Sequence, residues 1–268
     1  MLSQSADAGS IGTLVPSGRS GRSGEWRRDE RGLVTSRDFS PEPFVRQHAR
    51  VRELTEAVVV VVGATGDLGA AICDELLSRG AIVLGASRHG PDIHMDLRDS
   101  RAGDAVVRGA LGTQGRLDGV VNAAGVVAFG TLVDTDDITI EELFLTNAMG
   151  PLWLARHLLP ALAESDGFFA NVTGVVAERP TAGMVAYSAS KAALSHALAG
   201  LRREARSMGV HIADLRPPHI ATGLATRAIA GTAPPFGQGL DPDDVAARIV
   251  DAIQADEAEV GSAAFGRP

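Results

Sequence analysis

From residue 57 onward the chain alternates between short unbroken apolar runs and longer amphipathic stretches. Residues 57–62 form a continuous β-branched run, which suits a strand buried on both faces of a parallel sheet. A glycine-rich turn follows, then a helical pattern to about residue 79. Residues 81–86 predict a second strand and 100–111 a helix. A further strand spans 117–122, and a short one precedes Asp96. A long helix is expected over 137–162, bent near Pro151 and ended near Pro160. Residues 167–173 and 210–215 predict strands, 183–208 and 242–254 helices. Strands alternating with helices imply βαβ units, hence an α/β fold: one doubly wound parallel sheet with helices on both faces.

Residues 1–56 break this pattern. They are rich in Ser, Gly and Arg, with nine Arg against eight Asp or Glu and little apolar periodicity. Such a composition buries too little surface to offset ordering entropy. It predicts a mostly disordered extension, with room for a short helix over 43–54, ahead of a domain at 57–268. A net charge near +1 argues against a basic docking arm.

Composition narrows the function classes. Hydrophobic residues make up 45% of 268, enough for a substantial core. A net charge of −8 disfavours nucleic acid or an anionic membrane as partner. The lone cysteine, Cys73, excludes an intrachain disulfide and any multi-cysteine metal site. No apolar run is long enough to span a bilayer, and no basic-then-apolar leader pattern opens the chain. A cytoplasmic setting is expected. No His, Asp or Glu cluster has metal-ligand spacing, so no metal is expected, and His94, His211 and His219 read as ordinary loop or strand residues.

The candidate chemistry rests on the only tyrosine and the only lysine, Tyr187 and Lys191. Four residues apart on a helix, they share a face about 5–6 Å apart at Cβ. A phenol with a reference pKa of about 10 is a weak acid–base catalyst at neutral pH. A neighbouring cation favours the phenolate, so the pair is a compact proton donor and acceptor. The turn Gly63-Ala-Thr65-Gly66-Asp67-Leu68-Gly69 lies between a buried strand and a helix. Its glycines let backbone N–H groups approach a pyrophosphate at the helix N-terminus. An acid at the end of the second strand would bind the ribose 2′-hydroxyl of NAD. Ser87 and Arg88 stand there instead and suit a 2′-phosphate, which favours NADP(H) over NAD(H). Asp96 meets the adenine edge or caps the next helix.

With these pieces in order, the chain resembles the short-chain dehydrogenase/reductase family over about residues 58–222, as a divergent member. The resemblance rests on the glycine turn, Asn122-Ala123-Ala-Gly125, Asn147, and Tyr187 with Lys191, at family spacing. It implies a Rossmann-type fold and a nicotinamide cofactor contacted by the glycine turn through Leu68, by Leu97 beside Asp96, and by Asn122, Ala123 and Gly125. Tyr187 would be the acid–base residue. Lys191 would bind the nicotinamide ribose and lower the tyrosine pKa, and Asn147 would hold a relay water. Arg216-Pro217-Pro218-His219-Ile220-Ala-Thr222 resembles the family's Pro-Gly-x-Val-x-Thr segment, with Ile220 and Thr222 at the carboxamide. A homodimer or homotetramer through the two long helices is also implied.

Three departures stand out. The glycine spacing is that of extended or atypical members, and Asp67 takes a glycine's place, where it could cap the helix. Pro218 replaces a glycine. Most consequentially, Gly174 occupies the position of the family's catalytic serine, thirteen residues before Tyr187. Thr173, next to it, is the candidate substitute, although strand neighbours point to opposite faces. The reading is an NADP(H)-dependent oxidoreductase acting on a small-molecule carbonyl or alcohol. A non-catalytic dinucleotide-binding sensor or scaffold is the alternative. A sugar-nucleotide epimerase is disfavoured because only 81 residues (268 − 187) follow Tyr187. A substrate lid is expected over 221–240, with Val126, Phe129 and Phe236 lining an apolar pocket.

Overall fold

The computed structural model describes residues 51–266, together with Trp26–Arg28 and Val34–Ser36. These two short strands pair antiparallel, Trp26 opposite Ser36, within a separate unit of residues 1–47. The disorder expected of residues 1–56 is thus interrupted by a ribbon. The rest of 1–50 lies outside the described residues, as does most of the short helix considered over 43–54. Residues 51–54 are not helical.

The domain begins earlier than residue 57. Leu54 is fully buried, and Arg52 donates from its backbone to Gln254 and pairs with Asp256 at 2.9 Å. Seven parallel strands follow: β1 (Val58–Val62), β2 (Ile82–Ser87), β3 (Ile93–His94), β4 (Gly119–Asn122), β5 (Phe168–Val172), β6 (His211–Leu215) and β7 (Glu259–Val260). Their order is β3-β2-β1-β4-β5-β6-β7. Every residue of β1 is buried, as its unbroken valines require. Val58, Val60 and Val62 face α2 (Ala102–Gln114), α4 (Gly150–Ala163) and α5 (Val185–Ala205). Val59 and Val61 face α1 (Asp67–Ser78) and α6 (Pro242–Gln254). The period of two along one strand therefore builds both halves of the core.

The long helix expected over 137–162 is interrupted, but at Asn147 rather than at Pro151. Helix α3 (Asp137–Phe144) is capped by Asp136, whose side chain accepts from Thr139 N at 2.6 Å. A π turn at Leu145–Met149 then widens the backbone before α4 begins. Pro151 sits in the first turn of α4, where its missing N–H costs nothing. Pro160 lies inside α4, which runs on to Ala163.

Strand order reverses between β1 and β4, and the crevice outside their carboxyl ends is where such sheets bind ligands. The segment after β6 returns over this crevice. Its neck is closed by Ala221 N donating to Leu240 O at 2.8 Å, and its middle bridges Ala230 to Ala128. This is the segment, 221–240, in which a lid is expected.

Candidate active site

A cavity of about 660 Å³ runs along the crevice. Every site residue nominated from sequence lines it except Asn122 and Asn147, which are buried behind its wall. At one end the wall is main chain. Gly63 has φ of +86°, and a Cβ on it would lie 2.8 Å from Ala124 N. A Cβ on Gly69 would lie 2.1 Å from Gly63 O, so only glycine lets α1 start this close to β1. Gly66 precedes α1 without a side-chain cap, which leaves first-turn N–H groups for an anion. Asp67 does not cap α1. Its carboxylate accepts from Gly223 N at 2.6 Å and lies 3.4 Å from Arg227, tying the lid to the glycine turn. The Gly223 bond, with Arg227 behind it, holds Asp67 below the usual carboxylate range.

Ser87 ends β2, where its hydroxyl accepts from His89 N at 3.2 Å. Arg88 extends the cavity edge beside it. Asp96 is engaged by Arg98 at 2.6 Å, and Arg98 reaches on to Glu142 at 3.2 Å. Asn122 Nδ2 donates to Asn171 Oδ1 at 3.1 Å, while Asn122 Oδ1 accepts from Ala124 N at 3.2 Å. Asn122 thus shapes the turn from behind.

At the other end the wall is side chains. Helix α5 is free of Gly and Pro until Gly200, and it buries Tyr187 and Lys191 on one face. Lys191 Nζ donates to Val172 O at 3.0 Å. A Cβ on Gly125 would lie 3.2 Å from that nitrogen and 3.1 Å from Asn147 Oδ1, so this glycine admits both groups. Burial pulls the Lys191 pKa down to about 8 against an opposing pull from Asp214. Burial pushes Tyr187 up to about 12. Burial is the sole cause, and the lowering expected from Lys191 does not enter. Asn147, fully buried in the π turn, donates to Val126 O at 2.9 Å and to Ser190 Oγ at 3.1 Å, and accepts from Val126 N at 3.0 Å. Both amide donors are occupied, so its side chain clamps Val126.

Thr173 does not replace the family serine. Its hydroxyl is buried and donates to Asp214 Oδ1 on β6, away from the tyrosine. Gly174 supplies the bend that the substitution required, with φ of +85° and ψ of 164°, yet the bend does not turn Thr173 outward. Sequence reading missed Asp214, which also accepts from Ser195 at 2.5 Å, and Asn171, whose Nδ2 meets no partner among the described residues. The available signal was a polar residue at alternate positions in otherwise apolar strands. It also missed His219, which lines the cavity and lies against Phe236 with centroids 4.7 Å apart. Val126, Phe129 and Phe236 line the same end, as expected.

Residues 57–232 match the family model described as short chain dehydrogenase. A dehydrogenase/reductase SDR family protein 7-like of Anopheles gambiae is 26% identical over 248 residues, covering 81% of this chain and 78% of that protein. An uncharacterized oxidoreductase of Staphylococcus aureus is 27% identical over 216 residues, covering 75% and 92%. Among solved structures, a short-chain dehydrogenase from Streptomyces avermitilis superposes with a TM-score of 0.68 at 28% identity, covering 77% of this chain and 88% of that one. A short chain dehydrogenase from Burkholderia cenocepacia in complex with NADP has a TM-score of 0.68 at 25% identity, covering 79% and 90%.

Proposed function

The chain belongs to the short-chain dehydrogenase family of nicotinamide-dependent oxidoreductases, and from that premise we propose that it interconverts a small-molecule carbonyl and its alcohol with NADP(H). The observation that carries this reading is one cavity holding both the glycine cradle and the Tyr187–Lys191 pair. The residues fit a dinucleotide: the turn is packed too closely for a Cβ at Gly63 or Gly69, and the α1 N-terminus after Gly66 has no side-chain cap beside the cavity. The NADP complex of the Burkholderia cenocepacia protein supports the cofactor, and Arg88, with no acid at the end of β2, supports the 2′-phosphate.

When bound, the nicotinamide supplies or accepts hydride. Tyr187 gives or takes the proton at the substrate oxygen. Lys191, anchored on Val172 O, would hold the nicotinamide ribose. Asn147 fixes Val126, and Gly125 keeps the Lys191 corner open. Ile220 and Thr222 bring the lid neck against the same site. Arrival of a positive charge beside a phenol favours its ionised form, which is the direction Tyr187 needs.

Tyr187→Phe tests the reading. The phenyl ring keeps the packing, so NADPH affinity should stay within about twofold while turnover falls about 10²–10⁴-fold. Full turnover in that variant would remove Tyr187 from the chemistry. Gly174 favours the second reading, a dinucleotide-binding protein without turnover, which tight NADPH binding and no reduction across a panel of ketones and aldehydes would establish.

A cytoplasmic homodimer or homotetramer completes the proposal. Among the described residues no helix is long and apolar enough to cross a membrane. Exposed Ile138, Leu152 and Val185 on α3, α4 and α5 support self-association. Sedimentation of a monomer at micromolar concentration would overturn that part.

A further inference from the structure

Two departures from the family pattern meet at the reacting end of the cavity. On one side stands Gly174, where a Cβ would touch only Pro217 O, at 3.9 Å. On the other stands the turn Pro217-Pro218-His219. Val175 N donates to Pro217 O at 2.8 Å and ties the two segments together. Of the other donors nearby, Thr173 is taken by Asp214, and Lys191 spends one N–H on Val172 O. The polar side chains of the flanking segments that line the cavity are Thr181, His219 and Thr222, the last at the lid neck. Thr181 makes a long bond of 3.4 Å to Arg179 O on an exposed loop.

His219 is better placed. Its ring lies against Phe236 at 4.7 Å and 32°, and Phe236 lies against Phe129 at 5.8 Å. The ring lines the cavity, and neither ring nitrogen has a hydrogen-bond partner among the described residues. Burial alone lowers the His219 pKa, with no charged or hydrogen-bonding neighbour contributing, so the imidazole is neutral at pH 7 and carries one N–H donor. Val126, Val176 and Met184 complete an apolar surround with the two phenylalanines.

We propose that His219 takes over the role of the missing serine, donating a hydrogen bond to the oxygen of an uncharged aromatic or branched aliphatic carbonyl substrate. The proposal rests on the reading of Tyr187 as acid–base residue. In reduction the carbonyl carbon gains hydride and the π electrons pass to oxygen. That oxygen takes the Tyr187 proton, which solvent restores, and His219 keeps its own proton throughout. A preorganised donor at the oxygen polarises the carbonyl and stabilises charge developing there.

The test uses the full chain loaded with NADPH and two probes: benzamide, an inert carbonyl with a phenyl ring, and 1-phenyl-1,2-propanedione, a reducible one. His219→Phe keeps the aromatic stack and removes the donor. Calorimetry should show benzamide binding weakened about tenfold, and kcat for the diketone should fall about 10²-fold. NADPH affinity should not change. His219→Gln, which restores an N–H, should recover part of both losses, and it carries the test alone if His219→Phe loses NADPH binding through misfolding. Unchanged benzamide affinity and kcat in the His219 variants overturn the proposal. So does Thr181→Val reproducing the losses, or a wild-type protein that neither binds benzamide nor reduces the diketone. Tyr187→Phe separates the two readings. If it is inactive while His219→Phe is normal, only the role of His219 falls. If it is fully active, the acid–base reading falls as well.

Discussion

At the β1–α1 turn the cavity is walled by main chain, and what shapes it is exclusion: no side chain fits between Gly63, Gly69 and Ala124. At the α5 end it is walled by side chains, and what shapes it is ionisable groups held out of water: Tyr187, Lys191 and Asp214, each buried. The first region depends on sterics alone and tolerates no neighbour's adjustment. The second is a balance of desolvation against pairing, which can shift with pH, ligand and substitution. The departures follow the same division. The cradle's departure, Asp67 in a glycine's place, is met by the lid through Gly223 N and Arg227. The reacting end has lost a serine, gained a proline, and carries a histidine that the pattern does not call for.

The contrast can be broken most forcefully at Gly69. Gly69→Ala places a methyl 2.1 Å from a backbone oxygen that has no rotamer with which to yield. It should cost ~3 kcal/mol of stability and weaken NADPH binding at least about 100-fold, read by thermal melting and fluorescence titration. Near-normal binding would mean that the cradle adapts, and the distinction between the two ends would collapse.

Lys191→Met probes the other end with a smaller effect of opposite sign. The folded protein releases the Lys191 proton near 8, the unfolded chain only near 10.4. Below pH 8 the cost of the buried ammonium is fully present. From about pH 8 to 10 the unfolded state binds more protons, so wild-type stability rises with pH. Above pH 10 Tyr187 acts in reverse, because its unfolded phenol ionises first while burial holds the folded one protonated to about 12. The methionine variant should therefore be inactive yet more stable than wild type by about 1–3 kcal/mol at pH 7. The gap should close towards pH 10 in urea denaturation. Equal stabilities at every pH would show a solvated ammonium and no balance to tune.

The smallest change sharpens the cradle's edge. Arg88→Ala should weaken NADPH about tenfold and leave NADH unaltered, since one partly screened guanidinium–phosphate contact is removed. Equal losses for both cofactors would place Arg88 outside the 2′-phosphate site.

What the sequence made legible was local. An unbroken valine run, glycines at a strand–helix junction and a Tyr–Lys pair one helical turn apart each carry their geometry in their spacing, and β1, the cradle and the α5 face appear where expected. What stayed hidden depends on distant partners. The helix break falls at Asn147 because its amide clamps Val126, twenty-one residues earlier, and no local rule marks that site. Thr173 turns inward because Asp214, forty-one residues on, takes its hydroxyl. Residues 51–54 belong to the domain because Arg52 meets Asp256 across nearly the whole chain. His219 reads locally as a loop residue, and its place in the cavity wall depends on Phe236, seventeen residues on, lying against its ring.

The solitary lysine has a practical corollary. Apart from the α-amine of the chain, Lys191 is the only primary amine, and the positive charge elsewhere is carried by arginine. Acylating reagents and acetyl donors can therefore label a side chain at one address only, and that address is a buried nitrogen in the cavity wall. Labelling of that side chain becomes a one-site footprint of occupancy: ligand protects and an open cavity reacts. Immobilisation or dye coupling that must spare function has to be directed to the terminus, to Cys73 or to arginine.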